Sequence, residues 1–247
     1  MSGAITVKTL LEQAGQHLKV GDIVLSRSRT LSSHLIRLAT GSLFSHAALV
    51  FLVAQPEEGF NNTFLLESVS GGVGLANLRD YVGGRRPRED IVILRLEGEG
   101  LDDTYFRKVR GLMLDRINSG YDFNRALRMG LKFLFGSRLA WFSLSRGKSK
   151  SMRAAVARTK TRTHTWVPPE FICSGFIQYG LVQAAGRLGL NTNVMLKDGL
   201  SANDKEGILA LTPEDIAQSH RLTWRFAVTR GWAHPVTTLA EAKARLR

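Results

Sequence analysis

Apolar side chains recur along this chain at two different spacings, and the switches between them predict the order of elements. From Thr6 to Leu18 apolar and polar positions follow helical spacing, which reads as a short amphipathic helix. Gly21-Asp22 then turns the chain into a brief strand at Ile23-Val24-Leu25. Leu31 to Ala39 returns to helical spacing and is closed by Thr40-Gly41-Ser42. Ala47 to Ala54 is almost continuously apolar and predicts a buried strand, and Thr63 to Leu66 and Ile91 to Leu96 predict two more. Gly71-Gly72, between the last two, predicts a tight reversal. Asp102 to Ile117 reads as a helix whose acidic start suits the positive end of the helix dipole.

The pattern changes at Phe123. From there to Pro169 eleven basic residues (Arg125, Arg128, Lys132, Arg138, Arg146, Lys148, Lys150, Arg153, Arg158, Lys160 and Arg162) stand with no Asp or Glu among them. Leu127, Leu131, Leu134 and Phe135 give its first part helical spacing, and Ser145 to Thr165 reads as a mobile loop. Beyond it, Ile172 to Leu188 reads as a buried helix that starts at a cysteine, and Pro213 to Ala217 as a helical turn capped by Thr212. Leu222 to Val228 predicts a last strand, and the tail from Thr238 a short exposed helix. No internal repeat and no Pro/Ser-rich linker divides the chain, so residues 1–247 are expected to form a single domain with a basic insertion at about 123–169.

Composition adds one strong feature. The chain is 44% hydrophobic and 22% charged, an ordinary globular balance, but its formal net charge is +13 and its pI near 10.5. Such a charge attracts polyanions: nucleic acid, anionic lipid headgroups and acidic cell-wall polymers all qualify. The lone cysteine, Cys173, excludes an intrachain disulfide and a metal site of several thiolates. The N-terminal stretch lacks a basic start followed by a long apolar run. The apolar stretch from Ala126 to Leu144 is interrupted by Arg128, Lys132, Gly136 and Arg138. The expectation is a protein that is cytoplasmic as synthesised, with export by a signal-independent secretion route left open.

Three residues could share chemistry. Cys173 sits at the start of an apolar helix, where free amides and the helix dipole favour a thiolate and can hold an oxyanion; a buried, inert cysteine is the alternative. His46 opens the strand Ala47 to Ala54, a place from which it could take a thiol proton, or it could be a satisfied structural histidine. Glu67 ends the strand Phe64-Leu65-Leu66, where a carboxylate could orient an imidazole or simply be solvated. The other histidines, His17, His34, His164, His220 and His234, lie in more polar or less ordered contexts.

Resemblance to a known family joins these residues. Gly21-Asp22-Ile23-Val24-Leu25 followed by Thr40-Gly41-Ser42-Leu43-Phe44-Ser45-His46 resembles the histidine-bearing half of NlpC-type papain-like peptidases, and Ile172-Cys173-Ser174-Gly175-Phe176-Ile177-Gln178-Tyr179 looks like their nucleophile helix. The cysteine follows the histidine, the order of the circularly permuted branch that includes bacterial amidase-like enzymes and lecithin:retinol acyltransferase-like proteins. Glu67 with Gly72-Val73-Gly74, Tyr121-Asp122-Phe123, and Thr212-Pro213 onward to Ser219 are similar to further elements of the permuted bacterial enzymes, so the resemblance spans roughly residues 20 to 230. Two positions depart from it: Ile172 stands where ordinary members often carry an aspartate, and Gly175 where the permuted enzymes often carry a glutamate.

The resemblance implies an α+β fold, circularly permuted and papain-like, with an antiparallel sheet packed against the nucleophile helix. It also implies a cysteine hydrolase: Cys173 attacks an amide or ester carbonyl, His46 moves the proton and Glu67 orients His46. Tyr121, Ser174 and Ser45 are candidates for substrate or oxyanion contact. No metal or organic cofactor is implied. Peptidoglycan stem peptides are the first substrate expected, with a basic protein drawn to an anionic wall, and an antibacterial toxin restrained by an immunity or inhibitor protein is one role among several. The alternative is a lipid acyl hydrolase or acyltransferase whose segment 125–162 meets an anionic membrane. A third reading, from another class, is a nucleic-acid-binding protein with a degenerate site, its basic segment on phosphates and Trp141, Phe142 and Trp166 stacking on bases.

Overall fold

A computed structural model describes residues 3–28, 30, 33–34, 37–38, 41–69, 72–83, 89–117, 120–121, 170–190 and 193–246. In chain order these form β1 (Ile5–Thr6), α1 (Val7–Glu12), α2 (Ala14–His17), β2 (Ile23–Arg27), β3 (His46–Leu52), β4 (Phe64–Val69), β5 (Gly72–Asn77), α3 (Leu78–Val82), β6 (Asp90–Leu96) and α4 (Asp103–Leu114). Then come β7 (Gly120–Tyr121), β8 (Glu170–Phe171), α5 (Cys173–Leu188), α6 (Lys205–Leu209), α7 (Pro213–Ala217), β9 (Leu222–Thr229), β10 (Trp232–Pro235) and α8 (Leu239–Arg245).

Among the described residues an eight-stranded antiparallel sheet runs in the order β1-β10-β9-β6-β2-β3-β4-β5. Helices cover both faces. Leu25, Leu49, Leu66, Val92 and Leu94 point to one core with Tyr105 of α4 and Phe176 of α5. Val24, Val50, Leu65, Ile91 and Ile93 point to the other, with Leu10 of α1 and Leu78 of α3. This is why the central strands read as continuous apolar runs: with both faces buried, neither parity of position has to be polar. Leu94 pairs with Trp224 while Ile93 pairs with Phe226, so Arg225 is an extra residue in β9. The bulge reverses the strand's phase, and Trp224 and Phe226, two residues apart, enter opposite cores.

Several expectations change. The helix expected over 6–18 is two, broken at Gln13, with the Thr6 hydroxyl accepting from Thr9 N at 3.0 Å to start the first. Gly72-Val73-Gly74 belongs to β5, which pairs with β4 from Val69–Gly72 to Phe64–Asn77; the reversal is real, but it leads into a strand the glycine-rich sequence hid. β10 was also hidden. It follows β9 through Arg230 (φ 52°) and Gly231 (φ 84°), both left-handed, as the tight turns that match strand twist require. The tail helix is not simply exposed, because Ala242 and Leu246 are buried in the core around α5. Of the helix expected over 31–39, residues 33–34 and 37–38 are described and helical. The basic segment at 123–169 lies outside the described residues. Its borders do not: β7 and β8 pair in parallel, Gly120 with Glu170 and Tyr121 with Phe171.

Candidate active site

Asp22 and Arg95 fix the sheet near the turn before β2. The Arg95 guanidinium donates to both carboxylate oxygens of Asp22, at 2.7 and 2.8 Å, and to His17 O at 3.2 Å. Both residues are buried, and Lys19 N donates to the same carboxylate at 2.8 Å. β2 and β3 pair from this end, Ile23 with Leu49 through Ser26 with His46, so β3 begins with His46 opposite Ser26.

Glu67 is not at a strand end. It lies within β4, paired with Ala48 on one side and Gly74 on the other, and is 5% exposed. Ala48 faces the core around α1 and α3, and the pairing puts Glu67 on that same face. His46, two residues before Ala48, shares its parity, and its Nε2 lies 2.6 Å from Glu67 Oε2.

Cys173 approaches from the other face. It is the first residue of α5, 6% exposed, following Ile172, whose side chain provides no cap. The amides of the helix's first turn are therefore available to a negative charge at this end. The thiol hydrogen-bonds the His46 side chain and receives backbone N–H groups of Ala47 and Ser174. With Nε2 engaged by Glu67, Nδ1 is the imidazole nitrogen available to sulfur. Cysteine, histidine and glutamate thus meet at the end of the sheet, where β3 begins and α5 begins.

The electrostatics follow from this contact. Burial alone would push the Cys173 thiol up, but the charge and hydrogen bond of His46, with the two backbone amides, bring it below its ordinary value. Burial would likewise push His46 down, yet the Cys173 charge and hydrogen bond, then the hydrogen bond and charge of Glu67, raise it to about 10. Each partner favours the charged form of the other, and the carboxylate of Glu67 adds to that preference at His46.

The remaining sequence candidates sit around this array. The Ser174 hydroxyl donates to Leu211 O and is buried, so toward the thiol this residue offers only its backbone N–H. The Ser45 hydroxyl accepts from Ser33 Oγ at 2.5 Å and donates to Ser26 O at 3.3 Å, which engages it inside the loop before His46. The backbone of Tyr121 pairs with Phe171, two residues before the nucleophile helix; its side chain lies outside the described residues. Gly175 has a clear reason to be glycine: a Cβ there would stand 2.7 Å from Leu209 O and 3.0 Å from its carbonyl carbon and Cα. The end of α6 occupies the space that a glutamate at this position would need.

Sequence reasoning missed two groups. Tyr81, buried in α3, donates its hydroxyl to Glu67 Oε2, and its ring lies nearly parallel to the His46 imidazole (16°, centroids 6.5 Å apart). Glu214 of α7 accepts from Leu43 N at 3.1 Å, three residues before His46, which ties the late proline-containing turn to the histidine loop. A tyrosine in Leu78-Arg-Asp-Tyr-Val carries no motif, so no sequence signal marks it. Of the other histidines, His17 lies edge-on to Phe226, His34 is 3.3 Å from Arg37, and His220 is 3.4 Å from Asp198.

Among the described residues no cluster of three or more His, Cys, Asp and Glu could hold a metal ion, and no helix is long and apolar enough to cross a membrane. Comparison with curated proteins returns no match. Among solved structures the chain is similar to one titled as metalloprotein yiiX from Escherichia coli O157:H7, at 18% identity over 84% of this chain and 96% of that one, with a TM-score of 0.47. The family model of permuted papain-like amidases (YaeF/YiiX, C92) matches residues 17–141, a stretch that includes His46 and Glu67 and ends before Cys173. With half of its length matched in this way, the chain belongs to the permuted papain-like amidase family of the YaeF/YiiX type.

Proposed function

We propose that the protein hydrolyses an amide bond through a thioester on Cys173, and that its substrate is the stem peptide of peptidoglycan. The observation that carries the chemistry is the contact of the Cys173 thiol with His46, itself 2.6 Å from Glu67. The thiolate attacks the carbonyl carbon, and the oxyanion that forms is held by backbone N–H groups at the start of α5. The His46 imidazolium gives its proton to the departing amine as the tetrahedral intermediate collapses to a thioester. A water molecule then gives a proton to the neutral imidazole and attacks the thioester, and the acid and the Cys173 thiolate are released. Glu67 keeps the imidazole in the tautomer and orientation both steps need.

The substrate class rests on the amidase family and on charge. A formal charge of +13 favours an anionic polymer such as the bacterial wall. The test is to incubate purified sacculi with the wild type and with Cys173→Ala and to read soluble fragments by mass spectrometry. New stem-peptide termini from the wild type alone are the expected result and locate the scissile bond. Identical, intact profiles would refute the wall substrate, and release of fatty acid from anionic vesicles would then favour the acyl-lipid alternative.

A further inference from the structure

β4, β5 and α3 form one continuous unit. β4 and β5 pair along six residue pairs, and Asn77, the last residue of β5, caps α3 by accepting from Arg79 N at 2.9 Å. Leu78 N donates to Thr63 O at 2.9 Å, which ties the start of α3 back to the start of β4. Leu78 and Val82 are buried in the core beneath. The unit carries Glu67 on its first strand and Tyr81 on its helix. Both side chains are buried, and the Tyr81 hydroxyl donates to the same oxygen, Oε2, that faces His46 Nε2.

We propose that Tyr81 is a positioning residue for the Cys173–His46 pair, acting through Glu67: its hydroxyl holds the buried carboxylate ionised and aimed at His46. This rests on the reading of Cys173, His46 and Glu67 as a working array. A carboxylate taken out of water needs donors to stay charged, and Tyr81 supplies one to the same oxygen that faces His46. Among the described residues, the ionisable groups acting on the thiol and the imidazole are those of Cys173 on α5, His46 on β3 and Glu67 on β4, with Tyr81 on α3 behind them. Loss of the hydroxyl weakens the carboxylate's charge, then the imidazolium, then the thiolate. The effect therefore arrives at sulfur as a change in the pH at which the thiolate forms. A merely structural role for Tyr81 would lower stability without moving that pH.

The chain has one cysteine, so alkylation by iodoacetamide reports Cys173 alone. The rate is measured against pH in the wild type and in Tyr81→Phe, Glu67→Gln, His46→Ala and the Tyr81→Phe/Glu67→Gln double variant. The expected result is that Tyr81→Phe raises the midpoint of thiolate formation by about one pH unit in the native background and leaves it unchanged in the Glu67→Gln background. An unmoved or lowered midpoint in Tyr81→Phe, or an equal rise in both backgrounds, would overturn the proposal. If instead His46→Ala and Glu67→Gln both leave the wild-type midpoint in place, the array itself is misread, a failure separable from that of Tyr81. Should Tyr81→Phe not fold, 3-fluorotyrosine placed at position 81 supplies the reverse test: its hydroxyl is a stronger donor, so the midpoint falls if the proposal holds and stays if it does not.

Discussion

Gly175→Ala isolates the contact between the first turn of α5 and the end of α6. The new methyl carbon would stand 2.7 Å from Leu209 O and 3.0 Å from the Leu209 carbonyl carbon and Cα, all of them backbone atoms that no rotamer change can move aside. Overpacking of this kind costs about 1–3 kcal/mol. Alanine returns up to about 1 kcal/mol through its better helix propensity. The overpacking wins, leaving a net loss of about 1 kcal/mol, which for a chain of this length lowers Tm by about 2–4 °C. The displacement also has a direction. Pushing α6 away strains the Ser174–Leu211 hydrogen bond and the following α7, whose Glu214 holds Leu43 ahead of His46. Thermal unfolding by circular dichroism and the rate of Cys173 alkylation at pH 7 check both parts, with slower alkylation expected. A Tm equal to or above that of the wild type would show that α6 yields without cost and would refute the packing argument.

Three further outcomes follow from the same contacts. Activity against pH should form a plateau: it rises as the lowered Cys173 thiol ionises and falls as the raised His46 loses its proton near 10, whereas a rise that continues through about 8.5 would mark an ordinary, unpaired thiol. Asp22→Ala leaves the buried Arg95 guanidinium without its carboxylate and should cost about 3–5 kcal/mol in urea unfolding; a loss below about 1 kcal/mol would contradict it. Glu214→Ala removes the acceptor of Leu43 N and should lower kcat about fivefold with little change in Tm, the loss of about one hydrogen bond's worth of orientation of the histidine loop. An unchanged kcat would free that loop from α7.

Two of the three candidate site residues carry a local signal in the sequence. Cys173 opens an apolar helix after extended backbone, and His46 opens an apolar strand; both positions are found by periodicity alone. Glu67 was legible only through resemblance, and its setting was misjudged. Glu67 lies inside β4, which continues to Val69 because β5 pairs with it all along. β5 itself contains Gly72, Gly74 and Asn77, a composition that argues against a strand until a neighbour supplies the ladder. Tyr81 and Glu214 act across long sequence separations through single side-chain contacts, and no periodicity encodes such pairings. The same holds for Gly175, whose reason is a backbone carbonyl more than thirty residues away.

The short parallel pair of β7 and β8 sets how this chain can vary. Position 121 and position 171 stand side by side, one ladder spacing of about 4.8 Å apart, and the nucleophile follows two residues later. Everything between them therefore departs from and returns to a single point on the framework. The closing cost of such an excursion grows only with the logarithm of its length, about 0.6 kcal/mol for each doubling. Both ends of that stretch are thus anchored on one short ladder, and the second anchor runs directly into the helix that Cys173 opens.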